Sequence, residues 1–301
     1  MAMMNSSWIQ NQGFFGPVTA TLDWCEANYQ FSYYIAEMMN TFSNLFTIAL
    51  SVFGYLEACR QSLPQRYLAG YVGVGLVGFG SFAFHATLLY EAQLADELPM
   101  IYVGSMGVWL LFDNQPGFNL HNARTKWLIF LLVTFDFIFS LSYYFYRNPV
   151  YHQIVFASIV LLVTFRITYV LNFSEASSRI PPKTKSLIGK LFSTGAGLFA
   201  FGFFIWNMDN IFCINLTNLK RTLGWPIAFL LEGHSWWHIF TGAGSYYMFI
   251  GIQCMSYLYW QKQLLRILAD VTLCLKDAPE EYTIGYKYYL PRVIRVPSKK
   301  H

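Results

Sequence analysis

The chain has 301 residues, of which 55% are hydrophobic and 19% aromatic, with only 12% charged and a formal net charge of +4. A soluble domain carries about a quarter of its residues as charges, so this composition excludes a water-soluble globular protein and points to an integral membrane one.

Residues 1–41 lack a basic start followed by an apolar core, so no cleavable signal peptide is expected and the first span acts as the inserting signal. This segment carries Asp23-Trp24-Cys25-Glu26-Ala27-Asn28 and, further on, Glu37. Carboxylates and an amide so arranged are hard oxygen ligands of the kind calcium prefers. The stretch lacks the length and glycine of an EF-hand loop, and acids ahead of a span are also tolerated on the outer side of any membrane protein.

Runs apolar enough to cross about 30 Å of hydrocarbon follow at 42–59, 67–90, 98–112, 127–144, 150–171, 187–206 and 235–259. The second contains Ser81-Phe-Ala-Phe-His85, with Ser81 one turn before His85 on the same face. Residues 91–97 read as an acidic loop holding Asp96 and Glu97, and Pro99 suits the start of a short third helix. Asp136 lies mid-span in the fourth run, to be paired with a neighbouring helix or kept protonated. In the fifth, Arg166 is placed to snorkel and His152 is a spare ligand. Asp209 falls near the outer surface, and 225–231 is an extra apolar stretch suited to the interface. The seventh run opens with His234-Ser-Trp-Trp-His238, whose i, i+4 spacing puts both rings on one helix face. The expected fold is an all-α, integral membrane bundle of seven transmembrane helices.

With the N-terminus outside, the inner segments collect Arg60, Arg66, Arg124, Lys126, Arg179, Lys183, Lys185, Lys190 and the eight basic residues from Lys262 onward. The outer segments hold Arg147, Lys220 and Arg221. This positive-inside bias gives a lumenal N-terminus and a cytosolic C-terminus. His85, Asp96, His234 and His238 then converge on the outer leaflet. Three imidazoles are costly to bury in hydrocarbon without a partner, and a divalent metal is the partner that best offsets that cost. A three-histidine zinc site leaves one position open for water, which makes hydrolysis available at neutral pH. Hydrogen bonding to loop carbonyls or interfacial water is the alternative for an i, i+4 pair alone. Cys25 and Cys213 are the two cysteines on the lumenal side, where a disulfide persists, whereas Cys59, Cys254 and Cys274 fall toward the cytosol. Acceptors for N-glycosylation at Asn5 and Asn215 are lumenal; use of Asn172 would contradict the topology.

These residues resemble the alkaline ceramidases, of the fungal type that includes phytoceramidases, within a superfamily that also holds adiponectin-type receptors and a lipid-remodelling group. The resemblance covers most of the chain. It rests on the run from Asp23 to Tyr29, on Ile35-Ala-Glu37 with Asn40-Thr-Phe-Ser43-Asn44, on Gly80-Ser81 with His85, Asp96 and Glu97, on Trp206-Asn-Met-Asp209-Asn210-Ile-Phe-Cys213, and on Gly233-His234 with Trp237-His238. It implies zinc bound by His85, His234 and His238, with Ser81 and Asp96 in the catalytic shell. It further implies calcium near Asp23, Trp24, Glu26, Asn28 and Glu37, with Trp24 contributing its main-chain carbonyl. The organisation expected is a lumenal segment 1–41 with the calcium motif, a catalytic membrane domain 42–259 and a basic cytosolic tail 260–301.

The reaction the resemblance implies is hydrolysis of the amide of ceramide, phytoceramide or dihydroceramide to a sphingoid base and a fatty acid, tuned by calcium and open to reversal by mass action. Asp96 acts as general base and acid or orients a ligand imidazole. The membrane implied is endoplasmic reticulum or Golgi; Pro297-Ser-Lys-Lys-His301 only partly resembles a dilysine signal, its lysines standing one position late. No nucleic acid and no obligate protein partner are expected. Two alternatives remain at this level: an adiponectin-receptor-like seven-span receptor, and a zinc lipid esterase of the same superfamily.

Overall fold

The computed structural model describes residues 13–113, 118, 120–174, 177, 182–269 and 281–296. Asn5, Arg179, Cys274 and the terminal Lys299 and Lys300 lie outside them. The described residues form helices α1 (Met38–Arg60), α2 (Gln65–Thr87), α3 (Tyr90–Phe112), α4 (Ala123–Tyr146), α5 (Pro149–Asn172), α6 (Pro182–Ile211), α7 (Cys213–Leu223) and α8 (Gly233–Ala269), then strands β1 (Glu281–Lys287) and β2 (Leu290–Val296). A short 3-10 turn, Ile227–Leu231, joins α7 to α8. Helices α1, α2, α4, α5 and α6 are each long and apolar enough to cross a bilayer. Helix α3, of 23 residues, and α8, of 37, pack among them.

Helix α8 is the hub, contacting α6, α1 and α3, while α4 and α5 attach through α3. Small residues let α6 and α8 approach closely: a Cβ on Gly195 would lie 2.6 Å from the Gly244 carbonyl oxygen, and one on Gly244 would lie 2.7 Å from that of Gly195. Helices α4 and α5 carry their own caps, with Asn122 accepting from the Arg124 N–H and Asn148 from that of Val150.

The helix ends nearest the histidines are capped from a distance instead. Glu26 accepts the Met39 and Asn40 N–H groups at 2.7 and 2.8 Å, closing the start of α1. Asp209 accepts the Gly233 N–H at 3.0 Å, closing the start of α8. The chain leading into α1 runs against the end of α2, where the His85 and Ala86 carbonyls accept from the Glu37 and Ala36 N–H groups at 3.0 and 2.9 Å. The carbonyls orphaned at a helix C-terminus thus tie the N-terminal segment to the helix bearing the first histidine.

Three expectations need correction. Residues 91–97 are no loop: α3 begins at Tyr90 and Pro99 sits inside it, so only Leu88 and Leu89 separate α2 from α3. The acidic residues looked like a loop because they are polar, but Gln93 and Glu97 are buried, and Gln93 bonds to Glu97 and to Thr21 of the N-terminal segment. His152 is no spare ligand, since its Nε2 meets the Glu97 carbonyl at 2.9 Å between aromatic rings. Finally, the mostly helical fold also holds two strands that were not expected. Strands β1 and β2 form an antiparallel hairpin in register Lys287↔Leu290, and α8 continues ten residues past the expected end of its span, to Ala269. The hairpin buries Val293 and bonds to the bundle through the Tyr246 hydroxyl, which donates to the Pro291 carbonyl at 2.7 Å. Glu57 of α1, itself buried, pairs with Arg60, Lys287 and Arg292. Asp136 accepts from Ser105 of α3 at 2.7 Å, the inter-helix pairing expected of it.

Candidate metal centre

His85 stands in the last turn of α2, and His234 and His238 stand in the first two turns of α8. All three are buried. Their ring centroids are 5.0 Å (His85 to His234), 4.8 Å (His85 to His238) and 4.5 Å (His234 to His238) apart. One nitrogen from each lies within 4.8 Å of the others, and among the described residues this is the one group of three or more histidine, cysteine or acidic side chains so gathered.

The imidazoles are oriented from behind. Glu37 Oε2 is 2.5 Å from His85 Nδ1, and the Glu37 N–H donates to the His85 carbonyl, so one residue holds both the ring and the backbone of His85. Its carboxylate makes Nδ1 the protonated nitrogen and leaves the Nε2 lone pair free. His238 Nδ1 is 2.8 Å from Ser43 Oγ, which in turn donates to the Asn40 carbonyl at 3.0 Å. The Asn44 side-chain amide also meets His238 Nδ1, at 3.4 Å, so Nδ1 is engaged by α1 and Nε2 is again the nitrogen left for the cluster. His234 is held differently: its Nδ1 is buried without a hydrogen-bond partner, and its ring stacks on Trp24 with centroids 3.7 Å apart and planes 13° apart. Two free Nε2 lone pairs and an orphaned nitrogen in one buried cluster fit a divalent metal.

Ser81 is buried one turn before His85, and its hydroxyl neighbours the Asp96 carboxylate in the second turn of α3. Asp96 keeps partial exposure.

The acidic motif lies on the same side. Asp23 accepts from the Trp24 N–H at 3.1 Å and the Asn28 side-chain amide at 3.3 Å. Burial and then the neighbouring Glu37 push Glu26 up to about 7. Burial and then Asp23 hold Glu37 well above its ordinary value. Asn28 Oδ1 and Glu37 Oε1 are buried without partners. Crowded, desolvated carboxylates beside orphaned oxygens fit a hard cation. These oxygens are less tightly gathered than the histidine nitrogens, and both Glu26 oxygens already cap α1.

Cys25 and Cys213 form a disulfide that pins the motif to the start of α7. From α7, Lys220 Nζ reaches Glu232 at 2.5 Å and the Cys25 carbonyl at 3.2 Å, setting a buried cation among these acids. Sequence reasoning assigned no role to Ser43, to Lys220 or to the Trp24 ring. A serine one turn into an apolar span was a usable signal for the first; the stack and the lysine contact join segments about two hundred residues apart and left none.

The ceramidase family model matches residues 16–270. The mouse protein "Alkaline ceramidase 3" is 36% identical over 238 residues, covering 79% of this chain and 84% of its own. The yeast "Alkaline ceramidase YPC1" is 34% identical over 257 residues, covering 80% and 78%. An Arabidopsis thaliana "Alkaline ceramidase" is 28% identical over 235 residues, covering 77% and 82%.

Proposed function

The chain belongs to the ceramidase family, and we propose that it hydrolyses the amide bond of a ceramide to a sphingoid base and a free fatty acid, using a zinc ion held by His85, His234 and His238. The observation that carries this reading is the buried three-histidine cluster with its two Nδ1 atoms engaged by Glu37 and Ser43. Bound there, zinc supplies a Lewis acid for the amide carbonyl and lowers the pKa of attacking water to about 7.

The protein's own groups do the rest. Asp96 accepts the proton of the attacking water as the new C–O bond forms and the carbonyl π pair moves to the amide oxygen; as that pair returns the C–N bond breaks, and Asp96 passes the proton to the leaving nitrogen, which departs as the amine of the sphingoid base. The Ser81 hydroxyl donates to the amide oxygen as it gains negative charge, an interaction that counts most when the donor is held in place beforehand. Glu37 and Ser43 already orient two of the imidazoles, which favours this role for Asp96 over that of orienting a ligand ring. The relatives named above are ceramidases, which favours an amide over an ester substrate and an enzyme over a receptor.

Calcium at Asp23, Glu26, Asn28, Glu37 and the Trp24 carbonyl is the second cation of this reading, supported by the orphaned oxygens of Asn28 and Glu37. Glu37 also touches His85, so a cation there acts on the zinc ligand through one shared carboxylate. The seven helices α1 to α6 and α8 span the membrane with the histidines at the lumenal end, supported by the asymmetry of basic residues. Endoplasmic reticulum or Golgi membrane is the proposed location. Reversal of the reaction follows by mass action where products accumulate.

The test is release of sphingoid base from ceramide by purified protein in detergent. Wild type is expected to turn over, with loss of about a hundredfold or more in His85→Ala and on chelation of zinc. Folded, zinc-loaded protein that releases no base from any ceramide would sink the assignment.

A further inference from the structure

Helices α2 and α3 meet so closely beside Ser81 and Asp96 that only a glycine fits at the contact. A Cβ built on Gly80 would stand 2.0 Å from the Ala95 carbonyl oxygen, 2.5 Å from its carbon and 2.9 Å from the Asp96 nitrogen. All three are backbone atoms, so no side chain can turn aside to make room. The opposing carbonyl is itself unusual. Pro99 lies inside α3 and has no N–H to offer the carbonyl four residues back, which is that of Ala95. The oxygen deprived of its helical donor is therefore the one that abuts Gly80. Gly80 immediately precedes Ser81, and Ala95 immediately precedes Asp96. The backbone contact is thereby carried one residue along each helix, to a neighbouring hydroxyl and carboxylate, and the Asp96 nitrogen itself lies at the contact.

We propose that Gly80 and Pro99 are positioning residues that set the separation of α2 and α3 at which Ser81 and Asp96 work as a pair on the scissile amide. This rests on the roles given to Ser81 and Asp96 above. The zinc ligands are spared, because His85 is held through Glu37 at the start of α1 and not through α3.

A double-mutant cycle tests it. Gly80→Ala is expected to lower kcat by about 10- to 100-fold, the scale of roughly 1 Å of misplacement, while KM and bound zinc stay near wild type. In a Ser81→Ala background the same substitution costs less than about threefold, because the contact it disturbs is already gone. Pro99→Ala adds no bulk and returns a donor to the Ala95 carbonyl. It should show the same non-additivity, and it decides the matter where Gly80→Ala fails to yield folded, zinc-loaded protein. Equal losses in both backgrounds, or unchanged kcat in both variants, overturn the inference while leaving the ceramidase reading intact. Full kcat in Ser81→Ala alone would remove Ser81 from the mechanism and the inference with it, a pattern distinct from additive losses.

Discussion

His85 and His238 are aimed by hydrogen bonds, whereas His234 depends on the face of Trp24. Trp24→Ala should therefore weaken zinc binding by about 10- to 100-fold, the usual cost of losing a group that orients a ligand. Trp24→Phe, which keeps a stacking face, should retain most of it. Zinc retention against a graded series of chelators measures both, and equal retention in the alanine variant would show that the stack is idle. Glu26 carries a pH dependence whose sign is set by its burial. Its carboxyl is raised to about 7, so without calcium the folded chain binds a proton that the unfolded chain releases near 4.5. That contribution, about 3 kcal/mol at most, is present below pH 4.5 and fades as pH rises through 7. Calcium must displace the proton, so its affinity should rise between pH 6 and 8. Calorimetric titration across that range checks it, and a flat profile would remove Glu26 from the site.

The C-terminal hairpin anchors the bundle end remote from the histidines, since Glu57 lies near the far end of α1 from Glu37, about 30 Å away by helical rise. Breaking its ion cluster should loosen that end alone. Glu57→Gln leaves Lys287 and Arg292 facing a neutral side chain. Both cations are partly exposed, so the loss should be about 1–3 kcal/mol, seen as a lower melting temperature with zinc content unchanged. An unshifted melting curve would mean the hairpin contributes nothing to stability. This element was hard to see in advance because its turn is Tyr288-Tyr289, both at positive φ (52° and 64°), where glycine or asparagine would have signalled a hairpin. Helix α3 was misread at its start for a related reason. Polar residues there signalled a loop, but Gln93 and Glu97 turn inward to Thr21 and Tyr143.

For the whole molecule, the proposed lumenal placement of the histidines would put exposed Cys59, in the last turn of α1, on the cytosolic side. In sealed microsomes, whose outer surface is cytosolic, a membrane-impermeant maleimide should label Cys59 in a Cys274→Ser background without permeabilisation. Labelling only after permeabilisation would invert the topology. The sequence by itself determined most of the helical bundle and which histidines gather into a cluster that could hold a metal, because both follow from local rules. Hydrocarbon demands long apolar runs, and histidines one helical turn apart inside such a run are too costly to leave without a partner. Only the tertiary structure decided that Glu26 and Asp209 cap helices far along the chain, that Trp24 lies flat on His234, that Lys220 sits among the acids, and that Gly80 meets the freed carbonyl of Ala95. Each of these pairs residues of different segments, and their energy depends on distances of a few ångströms that composition, spacing and periodicity do not encode.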